Sequence, residues 1–247
     1  MKKFLFIIPR TPKARRNQLR DFLFEVMLLS LRKQESNNWQ AFILGEEEAE
    51  EGNIRYFSSS GVSKTEKILE ALRLIDKQNP PEYLIRLDDD DVIHPGALLK
   101  YEHAQADVIA DKFHWFYNMY TDRFISNDYT WMANTVFHKY EHAIADSGNG
   151  MPVIAGDHSK VFHEWYTGKN IVYTSKKNPL YMRILSPTCL TLANVYQSDT
   201  VNYSFDDLNR QVKKIARWRR FGFWHPFGVK WFSPFRKLFR ENRKKYF

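Results

Sequence analysis

The chain contains a single cysteine, Cys189. No intrachain disulfide can form, and neither a disulfide-stapled secreted scaffold nor a zinc site built on several thiolates is available. Long apolar runs are also missing. The first run, Phe4 to Ile8, is closed by Pro9-Arg10 and is too short for a signal-peptide core. The second, Phe22 to Leu31, carries Glu25 and stops at Arg32, well short of the about 20 apolar residues that a bilayer-spanning helix needs. There are no internal repeats, no Gly/Ser linker and no low-complexity tract. A soluble intracellular protein is expected. The rest is ordinary globular composition: 247 residues, 43% hydrophobic and 27% charged, enough to bury a substantial core.

The net charge is +8, unevenly placed. Residues 206–247 hold 13 Lys+Arg against 3 Asp+Glu, whereas residues 1–205 hold 24 against 26. The body is nearly neutral and the tail carries the basic excess. The same tail is rich in aromatics, among them Trp218, Phe221, Trp224, Trp231, Phe232, Phe235 and Phe239. This shift divides the chain into a body, 1–205, and an extension, 206–247.

Within the body, Lys3–Ile8 reads as a buried strand and Asn17–Gln34 as an amphipathic helix. Trp39–Leu44 and Ile54–Phe57 are further strands, with the acidic cluster Glu46–Glu51 ending the first. Ser63 and Glu66 form a capping-box pattern ahead of a helix lined by Ile68, Leu69, Leu72 and Ile75. Tyr83–Leu87 is a fourth strand, and His94-Pro95-Gly96 opens another helix. Strands alternating with helices predict an α/β fold with a mainly parallel sheet. In such sheets ligands collect beyond the carboxyl ends of the strands, where Pro9–Thr11, Glu46, Ser58–Ser60 and Asp88–Asp91 fall. After Asp107 the pattern loosens. His114–Tyr117 and Tyr129–Trp131 look like aromatic strands, and Ala133–Ala145 suits either strand or helix. A helix is expected from Gly156-Asp157 through Tyr166, and short strands at Ile171–Thr174 and Tyr181–Leu185.

The run Asp88-Asp89-Asp90-Asp91 is the main chemical signal. Adjacent like charges raise one another's pKa unless something positive binds them. A hard cation with oxygen ligands is the natural partner; the alternative is a solvated acidic turn or a helix N-terminus. A calcium-binding EF-hand loop from Asp88 fails, because its sixth and twelfth positions are Ile93 and Leu99. An alternative is a haloacid-dehalogenase-like phosphatase, with Asp88 as the nucleophile of the apolar-strand, Asp-x-Asp pattern. That motif normally opens its domain, and here a long α/β stretch precedes it. No later Gly-Asp-x-x-x-Asp supplies its magnesium site.

The string YLIRLDDDDVIHPGALLKY resembles the Asp-rich segment that follows the fourth strand in GT-A nucleotide-sugar glycosyltransferases. The first strand FLFIIP, the segment LLSLRKQ and the helix opening GVSKTEKILEAL are similar to the same family in the same order. The likeness is fair over 3–103 and loose over 104–190, and within the family it lies nearest bacterial surface-glycan transferases of the rhamnosyltransferase-like group. It implies a GT-A fold with a nucleotide-sugar half, 1–103, and an acceptor half, 104–205. It implies a metal-dependent, inverting transfer from a nucleotide sugar, a UDP-sugar first, with Mn²⁺ or Mg²⁺, to a glycan or lipid-linked acceptor in cell-surface polysaccharide synthesis.

The resemblance also assigns residues. Asp88 and Asp90 are the Asp-x-Asp pair, with Asp90 the first choice for metal contact and Asp88 alternatively on the ribose or a metal-bound water. Asp91 faces the donor sugar or acceptor, and Asp89 takes the variable, solvated position. Pro9, Arg10 and Thr11 match the nucleoside-holding loop. Glu46 stands where the family places a base-contacting acid, although the sequence there, Gly45-Glu46-Glu47, departs from the family pattern. Lys64 suits phosphate, or a solvated helix face. Asp157 matches the general base, with a helix N-cap as the competing role and Asp146 as the fallback base. His158 and Arg183 are weaker candidates for diphosphate or metal.

Lys/Arg alternating with Trp/Phe in 206–247 suits a segment lying on an anionic membrane surface, aromatics at the headgroup boundary and cations on lipid phosphate. That would place the protein in the cytoplasm, peripheral on the inner face of the membrane. The competing reading packs the aromatics back on the body. Nucleic-acid binding is the alternative from a different class; the near-neutral body and the absence of a nucleic-acid motif argue for no nucleic acid as partner.

Overall fold

The computed structural model describes residues 2–119, 121–128, 132–148, 150–186 and 226–246. Strand β1 (Phe4–Pro9) is buried along its whole length. A strand covered on both faces needs no polar alternation, which explains the unbroken apolar run. Helix α1 (Gln18–Arg32) begins where the Asn17 side chain accepts the Arg20 amide, satisfying one of the free amides of its first turn. Strand β2 (Trp39–Gly45) follows in parallel with β1.

The glutamates after β2 do more than end it. Ala49–Glu51 forms a short strand, β3, folded back antiparallel on β4 (Ile54–Ser58) through Gly52-Asn53. Gly52 has φ +59°, a conformation open to glycine at little cost. β3 lies at the sheet edge with all three residues exposed, and its charges discourage pairing with another chain. Helix α2 (Lys64–Arg73) carries the expected capping box between Ser63 and Glu66. Then come β5 (Tyr83–Arg86), β6 (Val92–Ile93) and α3 (Ala97–Tyr101).

The second half is built of shorter pieces: β7 (Val108–Ala110), β8 (Phe113–Asn118), β9 (Arg123–Asp128), β10 (Phe137–Lys139), α4 (Tyr140–Ala143), α5 (His163–Tyr166), β11 (Ile171–Tyr173) and β12 (Tyr181–Leu185). The ambiguous stretch 133–145 is both, β10 running directly into α4. A π-helical turn, His158–Phe162, precedes α5. Tyr129–Trp131 lies outside the described residues.

The main sheet has the order β11-β7-β10-β5-β1-β2-β4-β3. Its centre, β5-β1-β2-β4, is parallel throughout; β10 and β3 run antiparallel to their neighbours. The expected α/β class with a mainly parallel centre is what the chain adopts. A smaller sheet, β6-β12-β8-β9, packs beside it. From β1 the chain moves to one side to build β2 and β4, then returns across to place β5 on the other side of β1. The loops leaving β1 and β5 therefore part company, and the crevice between them is the position where such sheets take ligands.

The last described element, α6 (Ser233–Tyr246), lies against this body. Phe232, Phe235 and Phe239 are 0%, 0% and 2% exposed and pack with Leu19, Leu23 and Val26 of α1 and with Tyr117, Phe124 and Met182. For these three rings the headgroup-boundary expectation is corrected: burial against α1 and the β8–β9 hairpin removes more apolar surface from water than a partial insertion would. Charge fixes the docking. Asp122, in a turn with φ +52°, accepts from Arg236 Nε at 2.7 Å, Arg240 Nε at 2.6 Å and the Tyr117 hydroxyl at 2.9 Å. Residues 206–225 lie outside the described residues.

Because α6 is part of a shared core, Phe235→Ala is expected to destabilise the protein by about 3–5 kcal/mol, as large-to-small core changes do. Lys237→Ala, on the outer face of the same helix, should stay within about 0.5 kcal/mol. Urea unfolding followed by tryptophan fluorescence checks both; equal midpoints for the two variants would mean the helix is not part of the core.

Candidate functional site

The crevice between the β1 and β5 ends is a cleft of about 670 Å³. Pro9, Arg10 and Thr11 line it from the β1 side, Lys64 and Lys67 from α2, Asp88–Asp91 from the β5 side, Arg20 from α1 and Arg183 from β12. The carboxylates come to this spot because β5 ends at Arg86 and the next residues turn tightly, with the Asp91 amide donating to the Asp88 carbonyl at 3.2 Å.

The four aspartates have four different environments. Asp89 is 2% exposed and is the most heavily bonded. Its carboxylate accepts from Arg10 Nη1 at 3.0 Å, the Thr11 amide at 2.7 Å, the Thr11 hydroxyl at 3.0 Å and Arg20 Nη2 at 2.7 Å. The expectation of a solvated side chain fails here, because a buried carboxylate is tolerated when every lone pair is met by a donor or a cation. Asp90 accepts from Arg20 Nη1 at 2.7 Å. Burial raises its pKa and Arg20 opposes the rise. Asp91 accepts the Ile184 amide at 3.3 Å; its Oδ2 is buried without a hydrogen bond and faces Arg183 Nε at 3.9 Å. Burial and the neighbouring Asp90 push it well above the usual carboxylate range. Asp88 pairs with Lys64 and accepts Asn134 Nδ2 at 3.2 Å. Burial acts to raise its pKa, but Lys64 and then Arg86 outweigh that and hold it below the usual value.

The cations are equally organised. Arg10 stacks its guanidinium 3.6 Å from the Phe24 ring centroid and reaches Asp21 at 2.6 Å as well as Asp89. Lys67, buried, donates to the Arg10 carbonyl at 2.8 Å and so ties α2 to the end of β1. Arg20 spans Asp89 and Asp90, a bidentate reach its planar fork allows.

The structure brings Pro9, Arg10, Thr11, Lys64, Asp88, Asp90 and Asp91 into one cleft. Glu46 lies in an adjoining hollow of about 320 Å³ that shares Arg10 and also takes in Phe24 and Tyr56. There it pairs with Arg16 and accepts the Lys13 amide at 2.9 Å. Asp157 lines neither space. It is exposed and caps the π-helical turn, accepting the amides of Ser159 at 2.8 Å and Lys160 at 3.2 Å. Burial acts to raise its pKa, but the bonds from Ser159 and Lys160 together with His158 outweigh that and bring it below the usual value. Asp146 precedes it in the chain and accepts the Gly148 and Gly150 amides. His158 is held down to about 4 by desolvation and nearby arginines, so it is neutral at physiological pH.

Among the described residues, no three of the Asp88–Asp91 carboxylates lie within the 4.8 Å that a ready-made three-carboxylate cation site would show. Mg²⁺-type sites commonly use one or two carboxylates and complete their shell with substrate phosphate. The unbonded Asp91 Oδ2 and the carboxylate chemistry of Asp88 and Asp90 fit that smaller role. Three contributors could not be picked out from sequence: Arg20 is an ordinary helix-face residue there, Arg86 a strand residue, and Asn134 sits in a segment with no pattern.

No family model matches the chain, and no curated protein matches it. Among solved structures it is similar to TarS 1-349 of S. aureus, at 13% identity over 98% of this chain and 77% of that one, TM-score 0.47. It is also similar to the inositol-1-phosphate CTP transferase of T. maritima, at 12% identity over 85% and 96%, TM-score 0.44. A third is the glycosyltransferase GlyE of Streptococcus pneumoniae TIGR4, at 9% identity over 87% and 65%, TM-score 0.40. None reaches a TM-score of 0.5, so the function proposed below rests on the residues of the cleft.

Asp89 and Asp90 should separate cleanly in a stability test. Asp89→Ala leaves two buried guanidinium groups short of their shared partner and is expected to cost about 3–5 kcal/mol. Asp90→Asn, which removes one carboxylate contact and keeps the shape, should cost under about 1.5 kcal/mol. Chemical denaturation of the two variants side by side measures the difference, and a loss below about 1 kcal/mol for Asp89→Ala would show that the arginines find other partners.

Proposed function

We propose that the chain is a GT-A-type glycosyltransferase that moves a sugar from a nucleotide-sugar donor to a glycan or lipid-linked acceptor. One observation carries this reading: the crevice at the β1–β5 switch point holds a run of carboxylates interleaved with Lys64, Arg20 and Arg183. Such a site suits a ligand that is itself anionic and cation-binding, as a nucleoside diphosphate is.

In this reading Asp88 and Asp90 take a divalent cation, Mn²⁺ or Mg²⁺, together with the donor diphosphate. The cation would supply charge neutralisation at the departing diphosphate. Lys64 and Arg183 add fixed positive charge beside it. Pro9, Arg10 and Thr11 hold the nucleoside, and the hollow at Glu46 receives its base, with UDP the first candidate. Asp91 faces the transferred sugar or the acceptor. Asp157 removes the acceptor hydroxyl proton at its carboxylate, in an inverting transfer. Its lowered pKa keeps it ionised at neutral pH, the state a general base requires.

The outer face of α6 extends the reading to location. Lys237, Arg243, Lys244 and Lys245 are exposed, and among the described residues no helix is long and apolar enough to cross a membrane. We infer electrostatic contact between this face and the anionic inner surface of the cell membrane, where surface-glycan acceptors would be held, each basic residue contributing up to about 1 kcal/mol. Replacing Lys237, Lys244 and Lys245 by Glu should abolish sedimentation with phosphatidylglycerol vesicles at low salt while leaving the melting temperature unchanged. Vesicle binding that survives the triple change would remove this face from the interface.

For the reaction itself, isothermal titration with UDP and other nucleoside diphosphates should show binding that requires Mn²⁺ or Mg²⁺ and is lost in EDTA and in Asp90→Asn. Asp157→Asn should keep that binding and lower transfer by about two to four orders of magnitude, the usual contribution of a general base. Undiminished binding in EDTA would overturn the metal assignment, and transfer reduced less than about tenfold would leave Asp157 as a cap only.

A further inference from the structure

Arg86 ends β5 two residues before Asp88 and is 5% exposed. Among the described residues it makes no ion pair. Its Nη1 donates to the carbonyls of Ile154 and Gly156, both at 2.9 Å, and its Nη2 to Asn134 Oδ1 at 2.5 Å. Its Nε makes no hydrogen bond, and the guanidinium lies 5.2 Å from the Phe162 ring centroid. A buried cation held only by neutral acceptors is an expensive way to join two loops, and a neutral side chain could have made two of these bonds. Burial lowers its pKa from the usual arginine value, and Asp88 and Asp157, neither of them paired with it, oppose part of that fall.

Asn134, also 5% exposed, completes the link. Its Oδ1 accepts from Arg86 while its Nδ2 donates to Asp88 Oδ2 at 3.2 Å. Only this amide orientation satisfies both neighbours, since a guanidinium has no acceptor and a carboxylate no donor. The backbone amide of Asn134 donates to the Tyr181 hydroxyl at 3.2 Å, which steadies the residue against β12. On the far side, Gly156 directly precedes Asp157, and a Cβ there would lie 2.6 Å from Val161 Cγ1. The segment gripped by Arg86 is thus wedged against the turn that Asp157 caps.

We infer that Arg86 and Asn134 are positioning residues that couple Asp88 in the cleft to the 154–157 segment carrying Asp157, so that a nucleoside diphosphate engaging Asp88 also tightens that segment. The ligand's identity rests on the transferase reading; the coupling itself is a property of the bonds just described. It explains how a carboxylate outside the cleft can respond to what the cleft holds.

Amide hydrogen exchange on the full chain tests this with and without ligand. In the ligand-free protein, Asp88→Ala and Asn134→Ala should each speed exchange across 153–162 by about tenfold, although Asp88 makes no hydrogen bond or ion pair with the described residues of that stretch, while β2 is unaffected. UDP with Mn²⁺ should slow exchange across 153–162 in the wild type. In Asn134→Ala the nucleotide should still bind, without that protection. Asp88 is partly exposed at the cleft, so its variant keeps the first arm readable if Asn134→Ala lowers global stability. The coupling is overturned if exchange across 153–162 in ligand-free Asp88→Ala stays within about twofold of wild type, or if UDP protects the segment equally in Asn134→Ala. If UDP fails to bind the wild type while the ligand-free coupling is present, the coupling stands and the transferase reading falls.

Discussion

The cleft depends on one buried carboxylate. Asp89 gathers Arg10, Thr11 and Arg20 from the β1 loop and α1 onto the loop after β5. Those loops diverge at the sheet's switch point, and without a shared anion two guanidinium groups, a hydroxyl and a backbone amide would face one another across a crevice. The clamp sets the distance between the β1 and β5 ends, and with it the space left for a ligand. It also explains why a run of four like charges is stable in the absence of a ligand: each carboxylate has an assigned cation, and Arg20 serves two of them. Burial strengthens these contacts and makes the loss of any one partner costly.

The C-terminal helix supports this arrangement from behind. Phe232, Phe235 and Phe239 pack on the face of α1 that carries Leu19 and Val26, and Arg20 projects from the same helix towards the cleft. Asp122 fixes the helix by accepting from Arg236 and Arg240, one turn apart. A segment whose composition suggests an appendage therefore holds a wall of the site. Its lysines Lys237, Lys244 and Lys245 lie exposed, because the helix spends its apolar stripe on the core and its polar stripe on solvent.

Two polar networks border the cleft. One, centred on Asp89, is rich in charge and faces the cleft. The other, Arg86 with Asn134, is nearly neutral in its contacts and runs behind Asp88 to Ile154 and Gly156. Asp88 belongs to the second network through Asn134 and to the cleft through Lys64, which makes it the residue where that network reaches the cleft.

Much of this fold was legible in the sequence because the signals are local. The unbroken run of β1, the spacing of Leu19, Leu23 and Val26 in α1, the Ser63–Glu66 capping box and the Asp run at the end of β5 each follow from burial on one or two faces, or from a backbone amide needing an acceptor. The order of those elements placed Pro9–Thr11 and Asp88–Asp91 at the same end of the sheet. What the sequence could not decide is which charge meets which. Asp89 and Asp90 differ by one position, yet among the described residues one is locked among four donors and the other bonds Arg20. Asn134 finds Asp88 and Arg86 from 46 and 48 residues away, and the tail's aromatics turn inward because α1 and the β8–β9 hairpin offer them an apolar face. Strand periodicity and helix caps act within a few residues, whereas ion pairs and core contacts depend on the register in which distant segments meet, and only the assembled sheet sets that register.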